Sequence, residues 1–501
     1  MNFGICVFFI YMKQIIKIFT CLFLFSTVLN ATEIVDKNYR ESFSDDSLKE
    51  DYYRLQMRTA SFFDRQTSSV NGLVESYRGT SRYSYDIFSK SFIVGSGGIL
   101  DAQSFTYDCA VASFAYLLAG QYKKTEKIIR IYQKEFYTSK GDFIGLCNAY
   151  KTDTPRRRWG MVQGMDGNRT HLGPNMWVTM VVLQYTALTG KTDFIPLAID
   201  MLKWAQEIKH HQFKDGTLGA ASMGYGWQPP DWSKVFSTEN VVDHYASLKM
   251  LKDIYFNSNK DVKPYFQKAK YTIEDIDREI ENIERWFTKL IYDKTKKSMN
   301  MGYNQNGVDR TDALDTVSWT ILSVTPKRLK ELNIDPFLLM DFAEKNYYVE
   351  DNMGDSDVKV IGYDFTSQNS RKKDYRMIWY EGTCFHITAM QMMSGYAKSV
   401  GNEKLSEKYK QKAIDTLKSV TVASKTTGLI DNSLPYTSKK PNEKQIYTTF
   451  AHEWEIPRGK DGNWVASSSS TGWYLITASA FNPFQFDKDR VNYKLFKKDK
   501  N

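Results

Sequence analysis

Cysteine is scarce in this chain, with five residues among 501. Three of them, Cys109, Cys147 and Cys384, lie beyond the N-terminal segment and are far apart in the sequence. An odd number at such spacing excludes a disulfide framework and a paired-cysteine metal site. Glycine and proline are also modest, at 29 and 12 residues, which excludes a collagen-like or low-complexity chain.

Several nucleotide and hydrolase motifs are absent from the sequence. It contains no phosphate-binding P-loop, no dinucleotide-binding glycine fingerprint and no G-x-S-x-G nucleophile elbow. We therefore expect no cofactor, no bound metal and no nucleic-acid partner. Aromatic residues, by contrast, are abundant, with 11 Trp, 32 Tyr and 30 Phe beside a formal net charge of +9. Rings in this number supply either a large core or a binding groove.

The first 31 residues have no acidic side chain. Lys13 and Lys17 precede the apolar stretch Ile18–Leu29, and Ala31 offers a small residue for cleavage. This order predicts a signal peptide over residues 1–31, with Met12 as an alternative start, and an exported protein, periplasmic or secreted. A retained membrane anchor is the other interpretation, but the apolar stretch is too short to cross a bilayer. We expect no stable membrane insertion after cleavage.

Two kinds of helical segment alternate along the rest of the chain. Segments of the first kind are apolar almost all round, which predicts burial, whereas segments of the second kind have a charged face that predicts exposure. The apolar segments are Tyr107–Ala119, Asn175–Thr189, Val241–Ile254, Ala313–Val324, Phe385–Ala397 and Gly472–Phe481. The charged segments are Leu48–Arg65, Lys123–Phe136, Asp193–His210, Val262–Tyr292, Lys327–Lys345 and Glu403–Val420.

Glycines end several apolar segments and polar residues then begin the next segment, as at Gly120, Gly190 and Gly401. Each unit is therefore a helical hairpin, and a hairpin cannot bury its apolar face alone. The sequence predicts an all-α fold, an (α/α)6 toroid of six hairpins with long loops at one end. This single domain covers residues 32–490 and precedes a basic tail at 491–501. An open solenoid is the alternative, but it would need capping repeats.

In such a ring all six inner helices run in the same direction, so their N-termini meet at one end, here called the mouth. Four of these N-termini carry a carboxylate, namely Asp108, Glu239, Asp315 and Glu381. Any one of them has a structural explanation, because acidic residues stabilise the first turn of a helix. Their convergence predicts catalysis, because clustered carboxylates shift one another's pKa values toward the range of acid–base chemistry.

Aromatic residues accompany these carboxylates, and a loop at 223–232 that is rich in glycine, proline and rings leads to Glu239. Flat rings on a rigid loop suit stacking against sugars, and packing of the rim is the structural alternative. The predicted substrate-binding residues are Trp177, Tyr225, Trp227, Trp232, Asp243, Tyr245, Trp319, Trp379 and Trp473.

The chain carries, in order, the motifs Gly72-Leu73-Val74, Thr106-Tyr107-Asp108, Gly173-Pro174-Asn175-Met176-Trp177, Ser237-Thr238-Glu239, Leu314-Asp315, Trp379-Tyr380-Glu381-Gly382-Thr383, Gly472-Trp473 and Asn482-Pro483-Phe484. In these motifs it resembles the six-hairpin glycosidase-like superfamily, and more narrowly a bacterial group of exported (α/α)6 proteins. The resemblance implies a carbohydrate-active enzyme, mostly a hydrolase, with lyases, phosphorylases and epimerases on related rings. In one departure, Asn240-Val241 stands where the group has His-Asn.

Paired carboxylates beside aromatic rings are typical of glycoside hydrolysis, in which one acid protonates the leaving oxygen and the other activates water or attacks the sugar. We therefore predict a glycoside hydrolase acting on an oligosaccharide or polysaccharide. Glu239 and Glu381 are the candidate acid and base, and Asp108 and Asp315 are partners or substitutes.

Two other functions remain open from the sequence. A sugar epimerase or uronate lyase would use His244 or Tyr245 as a base, with the arginines at 156–158 near an acidic sugar. A non-catalytic envelope glycan-binding protein would need only rings and hydrogen-bond donors. The three functions differ in geometry, because only the hydrolase requires two carboxylates across a groove.

Overall fold

The structure is a computed structural model of the 501-residue chain. It describes residues 49–78, 83–86, 91–94, 102–155, 170–225, 231–258, 260–367, 376–440, 448–449, 454–455 and 463–487. The chain divides into two compact units, residues 1–55 and 56–501. The predicted signal peptide at 1–31 and basic tail at 491–501 lie outside the described residues, so both stay predictions.

Helices dominate the described residues. Their bounds are α1 Lys49–Gln66, α2 Thr106–Leu118, α3 Tyr122–Phe136, α4 Leu172–Thr189, α5 Ile195–Glu207, α6 Thr238–Asn257, α7 Lys263–Ala269, α8 Ile273–Trp286, α9 Leu314–Val324, α10 Pro326–Glu331, α11 Pro336–Tyr347, α12 Tyr380–Ser399, α13 Glu403–Thr426 and α14 Ser468–Ala478. None of these helices combines the length and hydropathy that a membrane span requires.

Six helices form a closed inner ring in the second unit. Helix α2 packs on α4, α4 on α6, α6 on α9, α9 on α12, α12 on α14, and α14 returns to α2. These are the six segments that the sequence predicts to be buried, and almost every residue of α2, α9 and α14 is buried. The closure confirms the toroid, because an open solenoid would leave α2 and α14 apart.

The charged helices form the outer layer. Helix α3 packs against α2 and α4, α5 against α4 and α6, α8 against α6, α11 against α9, and α13 against α12. From Gln56 onward, α1 completes this layer, because Gln56 Nε2 donates to the carbonyl of Leu118 at 2.8 Å and Phe63 lies 5.9 Å from Tyr116, ring centroid to ring centroid. Each inner helix is thus covered on its outer side.

Two outer segments differ from the sequence prediction because each is broken. The segment predicted as one helix over Val262–Tyr292 contains α7 and α8, separated where Lys270 adopts a left-handed φ of 51° and Thr272 begins a capping box with Asp275. The segment over Lys327–Lys345 contains α10 and α11. Pro336 cannot continue a helix from the preceding turn, so α11 starts anew with Asp335 as its cap.

The strands are short and antiparallel. Their bounds are β1 Tyr83–Asp86, β2 Ser91–Val94, β3 Gln103–Phe105, β4 Ala149–Lys151, β5 Thr170–His171, β6 His210–Gln212, β7 Leu218–Ala221, β8 Gly224–Tyr225, β9 Phe236–Ser237, β10 Tyr292–Asp293, β11 Ser298–Met299, β12 Gly302–Asn304, β13 Gly307–Asp309, β14 Tyr348–Asn352, β15 Lys359–Tyr363, β16 Thr448–Thr449 and β17 Trp454–Glu455. Most pair in twos, and β13, β12 and β9 form one three-stranded sheet.

Three of these strands lead directly into inner helices and so fix where the helices begin. Strand β3 pairs with β4 and runs into α2, β5 pairs with β8 and runs into α4, and β9 pairs with β12 and runs into α6. The pairing anchors the loops at the mouth by backbone hydrogen bonds, which places the first turns of these helices in defined positions.

Candidate active site at the mouth of the toroid

All four predicted carboxylates lie in the first turns of inner helices. Asp108 is in α2, Glu239 in α6, Asp315 in α9 and Glu381 in α12. Three are buried, with exposed fractions of 6% for Asp108 and Glu381 and 4% for Asp315, whereas Glu239 is partly exposed. The mouth therefore holds charged groups at the rim of an otherwise apolar ring, which is the condition under which carboxylate pKa values rise.

Glu381 has the best-defined hydrogen bonds of the four. The hydroxyl of Tyr107 donates to Glu381 Oε1 at 2.6 Å, and Nε1 of Trp473 donates to the same tyrosine oxygen at 2.7 Å. Burial raises the pKa of Glu381 to about 7, while hydrogen bonds from Ser469 and Tyr107 favour its charged form and hold the pKa from rising further. Glu381 can therefore change its ionisation state near neutral pH.

The local structure defines the position of Glu381 within its helix. Helix α12 begins at Tyr380, with Trp379 as its N-cap residue, so Glu381 belongs to the helix itself. The hydroxyl of Thr383, two residues later, binds the backbone N–H of Tyr363 in β15 at 2.9 Å. This threonine therefore attaches α12 to the β14–β15 hairpin.

Asp315 and Glu239 interact with Glu381 through their charges. Burial raises the pKa of Asp315 to about 7, the charge of Glu381 adds to the rise, and a backbone hydrogen bond from Thr316 opposes it. Burial, with the charges of Asp315 and Glu381, raises the pKa of Glu239 well above its usual range. Both carboxyls are thus shifted toward their protonated forms, and Glu239 has two negatively charged neighbours.

Asp243 and Asp108 flank the two glutamates. Burial and the charges of Glu239 and Asp315 raise the pKa of Asp243, which lies one helical turn after Glu239. Burial and the charge of Glu381 raise the pKa of Asp108 to about 7, against a hydrogen bond from Ser76. The structure therefore brings all five acidic site residues that the sequence predicts into one electrostatic cluster.

Tyr436 is a residue of this cluster that the sequence analysis missed. Burial raises its pKa, and so do the charges of Glu381, Asp108, Asp315 and Glu239, so its phenol lies within electrostatic range of all four carboxylates. It is partly exposed, and its ring centroid lies 6.4 Å from those of Tyr77 and Trp379. The only sequence signal was its position in the long loop that precedes α14.

The segment that carries Tyr436 is held from both sides. The carbonyl of Tyr436 accepts from the N–H of Tyr380 at 3.1 Å. The N–H of Ser438 donates to the carbonyl of Ile378 at 3.0 Å, and the N–H of Ile378 donates to the Ser438 hydroxyl at 2.9 Å. On the other side, the N–H of Ser467 donates to the carbonyl of Leu434 at 2.8 Å. The start of α12 and the start of α14 are thus joined through this loop, which fixes Tyr436 between them.

The predicted tryptophans of three inner helices lie beneath the carboxylates. Trp177, Trp319 and Trp473 are at most 2% exposed, and their ring centroids are 5.3 to 6.5 Å apart. Tyr107 lies 4.8 Å from the ring of Trp177. These rings form the floor of the mouth, and Trp473 reaches the cluster through its hydrogen bond with Tyr107. Their predicted contact with sugar stays a prediction.

The other predicted aromatic residues that the structure describes lie outside this floor of tryptophans. Trp379 is 6% exposed, Tyr225 is 48% exposed in β8, and Trp232 lies 5.0 Å from the ring of His171. Trp227 and the arginines at 156–158 are outside the described residues. The hydroxyl of Tyr245 donates to Glu284 Oε1 on the outer helix α8 at 2.9 Å, so Tyr245 lies between the two rings of helices.

His244 also lies between the inner and outer helices. It is fully buried, and burial lowers its pKa to about 4, with Glu279 and His210 as its charged neighbours. It is therefore neutral at ordinary pH, but the structure places it with residues of α8 and β6 instead of with the carboxylates. Among the described residues, no group of three or more His, Cys, Asp or Glu side chains is arranged to hold a metal ion.

No protein-family model matches this chain, and no curated protein sequence matches it. Solved structures do. A glycosidase in complex with glucose is 10% identical, with 87% of this chain and 98% of that chain covered and a TM-score of 0.51. A GH76 α-mannanase from Bacteroides thetaiotaomicron is 11% identical, with 86% and 96% covered and a TM-score of 0.50.

A sugar epimerase from a ruminal bacterium is similar to the same degree, at 9% identity with 86% of this chain and 98% of that chain covered and a TM-score of 0.51. At such identities the likeness defines the fold and leaves the reaction open. The closed inner ring and the outer layer of charged helices indicate the same fold as these structural neighbours do. The chain is an (α/α)6 toroid whose fold is similar to those of these glycosidases and of the sugar epimerase.

Proposed function

We propose that this chain is an exported carbohydrate-active enzyme that hydrolyses glycosidic bonds with Glu239 and Glu381. The observation that supports this most directly is the difference between their environments. Glu381 accepts hydrogen bonds from Tyr107 and Ser469, which favour its ionised form, whereas Glu239 is next to two negative charges that favour its protonated form. Two carboxyls with unequal proton affinity are what an acid and a base require.

Glu239 is the general acid in this proposal. Burial and the neighbouring charges of Asp315 and Glu381 keep its carboxyl protonated at a pH where an exposed glutamate is ionised. Its partial exposure lets a substrate oxygen reach it from the mouth. The carboxyl gives its proton to the glycosidic oxygen as the bond to the anomeric carbon breaks, so the leaving sugar departs as a neutral alcohol.

Glu381 is the base. In the ionised form it takes a proton from a water molecule whose oxygen bonds to the anomeric carbon, and the products are a hemiacetal and an alcohol. Tyr107 orients the carboxylate through the hydrogen bond to Oε1. Attack by Glu381 itself would give retention instead of inversion, and the configuration of the first product, observed by NMR, distinguishes these two routes.

A sugar epimerase is the second candidate function, because a sugar epimerase shares the fold as closely as the glycosidases do. An epimerase needs a base positioned over a C–H bond. His244 and Tyr245, the candidates from sequence, lie between the inner and outer helices with their nearest charged neighbours on outer helices or β6. Their placement makes the carboxylate pair the stronger candidate for chemistry at the mouth.

The test is sugar release by the purified protein from neutral, amino and acidic glycans, measured by new reducing ends and by absorbance of unsaturated products. Glu239→Gln and Glu381→Gln accompany the wild type, and Glu281→Gln, an exposed glutamate of α8, is the matched control. Reducing ends without absorbance, lost in both site variants and kept in the control, support hydrolysis. Absorbance supports a lyase, and binding without product in all variants supports a glycan-binding protein.

Export is tested separately, because it depends on residues 1–31 and not on the mouth. The expectation is that the mature protein in the periplasm or medium begins near residue 32, which mass spectrometry of the intact chain measures. A mature chain that retains residues 13–29 would contradict the signal peptide and support a membrane anchor.

A further inference from the structure

The outer wall of the toroid has a cavity of about 630 Å³ whose lining includes none of the mouth carboxylates. Helix α3 provides most of its lining, the loop at Asn71 closes one side and Lys191 closes another. Its charged lining residues are Lys123, Glu126, Lys127, Arg130, Lys134 and Lys191. Five cations therefore surround one carboxylate.

Four of these cations form a stripe along α3. Lys123, Lys127, Arg130 and Lys134 follow one another at intervals of four, three and four residues, which places them on one side of the helix. The stripe extends over eleven residues, or about 16 Å at the rise of an α-helix. All four side chains are exposed. A ligand that contacts the whole stripe must therefore be elongated.

The one carboxylate of the cavity is already satisfied. Glu126 accepts from Lys191 at 2.8 Å, from the hydroxyl of Tyr185 at 2.5 Å and from Arg130 at 2.7 Å. The hydrogen bonds from Lys191, Tyr185 and Arg130 lower its pKa to about 2, so it stays ionised. Lys191 and Arg130 exceed its single negative charge by one, and Lys123, Lys127 and Lys134 bring the net excess to four positive charges.

This excess is unfavourable for the helix by itself. The first turn of α3 has no acidic residue, although Lys123 lies where the helix dipole disfavours a cation. Like charges at four-residue spacing also repel one another. An anion bound along the stripe would relieve both effects.

The cavity is shaped before any ligand binds. Asn71 Nδ2 donates to the carbonyl of Lys151 at 2.7 Å, which ties the loop to β4. The next residue, Gly72, has a φ of +78°, and a Cβ there would lie 3.3 Å from Ile131 Cδ1 and 3.4 Å from Lys127 Cε. The loop thus approaches α3 closely at a position that favours glycine, which defines the wall of the cavity.

We propose that this cavity is a second glycan-binding site, which takes a polysaccharide with an anionic group on successive sugars. This rests on the proposed function to the extent that the chain acts on glycans. The concave shape favours a chain over a flat membrane surface. The lining has no aromatic ring, whereas single-stranded nucleic acids are bound by stacking on rings. An elongated anionic carbohydrate fits the remaining requirements of length, charge and solvation.

The experiment measures binding of oligogalacturonate to the full chain by calorimetry at low salt, with its methyl ester as the uncharged counterpart. The stripe variant is Lys123→Gln/Lys127→Gln/Lys134→Gln. The matched control is Lys398→Gln/Lys404→Gln/Lys408→Gln, three exposed lysines at the α12–α13 turn, which removes the same net charge. We expect the stripe variant to lose about tenfold or more in affinity, the control less than about twofold, and the ester to bind weakly.

Three results would overturn the proposal. Equal losses in the two triple variants would mean that only net charge matters, and equal binding of acid and ester would mean that the anion is not recognised. If the stripe variant lost binding to phosphatidylglycerol vesicles or inorganic phosphate but kept its binding to the oligosaccharide, the stripe would be assigned to another anion. Because binding is measured without turnover, a chain that binds at the cavity but releases no sugar would contradict the proposed hydrolysis alone.

Discussion

Tyr107 and Glu381 are 274 positions apart in the sequence, yet the tyrosine hydroxyl donates a 2.6 Å hydrogen bond to the glutamate. The bond joins the first turns of α2 and α12, and Trp473 of α14 donates to the same tyrosine oxygen. Three inner helices therefore meet at one hydroxyl group. This connection makes the ionisation of Glu381 depend on the closure of the ring.

The first prediction concerns the pH dependence of activity. In the proposed reaction Glu381 acts in its ionised form, and the Tyr107 hydrogen bond lowers its pKa from the value that burial alone would give. In Tyr107→Phe this pKa rises, so the acidic limb of the pH–rate profile moves to higher pH by roughly 0.5–1 pH unit. Tyr137→Phe is the control, because its hydroxyl binds Asp200 of the outer helix α5. An unmoved limb in Tyr107→Phe would contradict the role of Glu381 as base.

The second prediction concerns Tyr436. Its phenol lies within electrostatic range of four carboxylates and is partly exposed, so we expect it to donate a hydrogen bond to a substrate bound among them. Losing that bond in Tyr436→Phe should lower kcat/KM by about 10–100-fold. The change should leave the Tm within a few degrees of the wild type. Unaltered kinetics in this variant would remove Tyr436 from the site.

The third prediction concerns stability as a function of pH. The pKa of Asp108 is about 7 in the folded chain and near 4 when exposed in the unfolded chain. The folded state therefore binds more protons between these values, and stability falls as the pH rises through this window. Asp108→Asn removes that fall and should raise the free energy of unfolding at pH 8 by more than about 1 kcal/mol.

Denaturant unfolding at pH 4 and pH 8 measures the effect of Asp108→Asn. The matched control is Asp357→Asn, an exposed aspartate that follows β14, which should change stability little at either pH. If Asp108→Asn raised the free energy of unfolding by the same amount at pH 4 and at pH 8, the effect would not come from ionisation of Asp108.

The fourth prediction concerns the contact between α4 and α6. A Cβ at Gly173 would lie 2.4 Å from Asn240 Oδ1, the atom that accepts from the N–H of Gly173 at 2.6 Å. Gly173→Ala must displace Asn240, the neighbour of Glu239, and should destabilise the chain by about 1–3 kcal/mol. Gly395→Ala is the control, since a Cβ there meets nothing within 4 Å, and it should be neutral or stabilising. Thermal unfolding distinguishes the two, and equal Tm values would contradict the prediction.

The inner helices could be read from sequence because burial on every side leaves a strong pattern. The apolar segment predicted at Ala313–Val324 is helix α9, which starts one residue later and ends at the same residue, and the one at Asn175–Thr189 starts three residues earlier in the structure. The breaks in the outer helices were missed, since Lys270 adopts its left-handed conformation only in the folded context and the charged pattern continues across it.

The carboxylates of the candidate site were also predictable, because charge in an apolar helix is conspicuous and a common helix direction brings the N-termini together. Tyr107, Tyr436 and Ser469 were not predicted as site residues. Tyrosine and serine are ordinary at helix starts and in loops, and their chemistry here depends on contacts with residues of other elements that are distant in the sequence.

The alternation of apolar and charged segments thus determined by itself the number of helices in the ring, their order and the end at which acidic residues gather. The spacing of apolar residues within each segment predicts whether that helix is buried, so this information is present in the local sequence. Only the tertiary structure decided which carboxyl has hydrogen-bond donors and which has negative neighbours. Those differences, which separate Glu381 from Glu239, come from distances between helices that no local pattern contains.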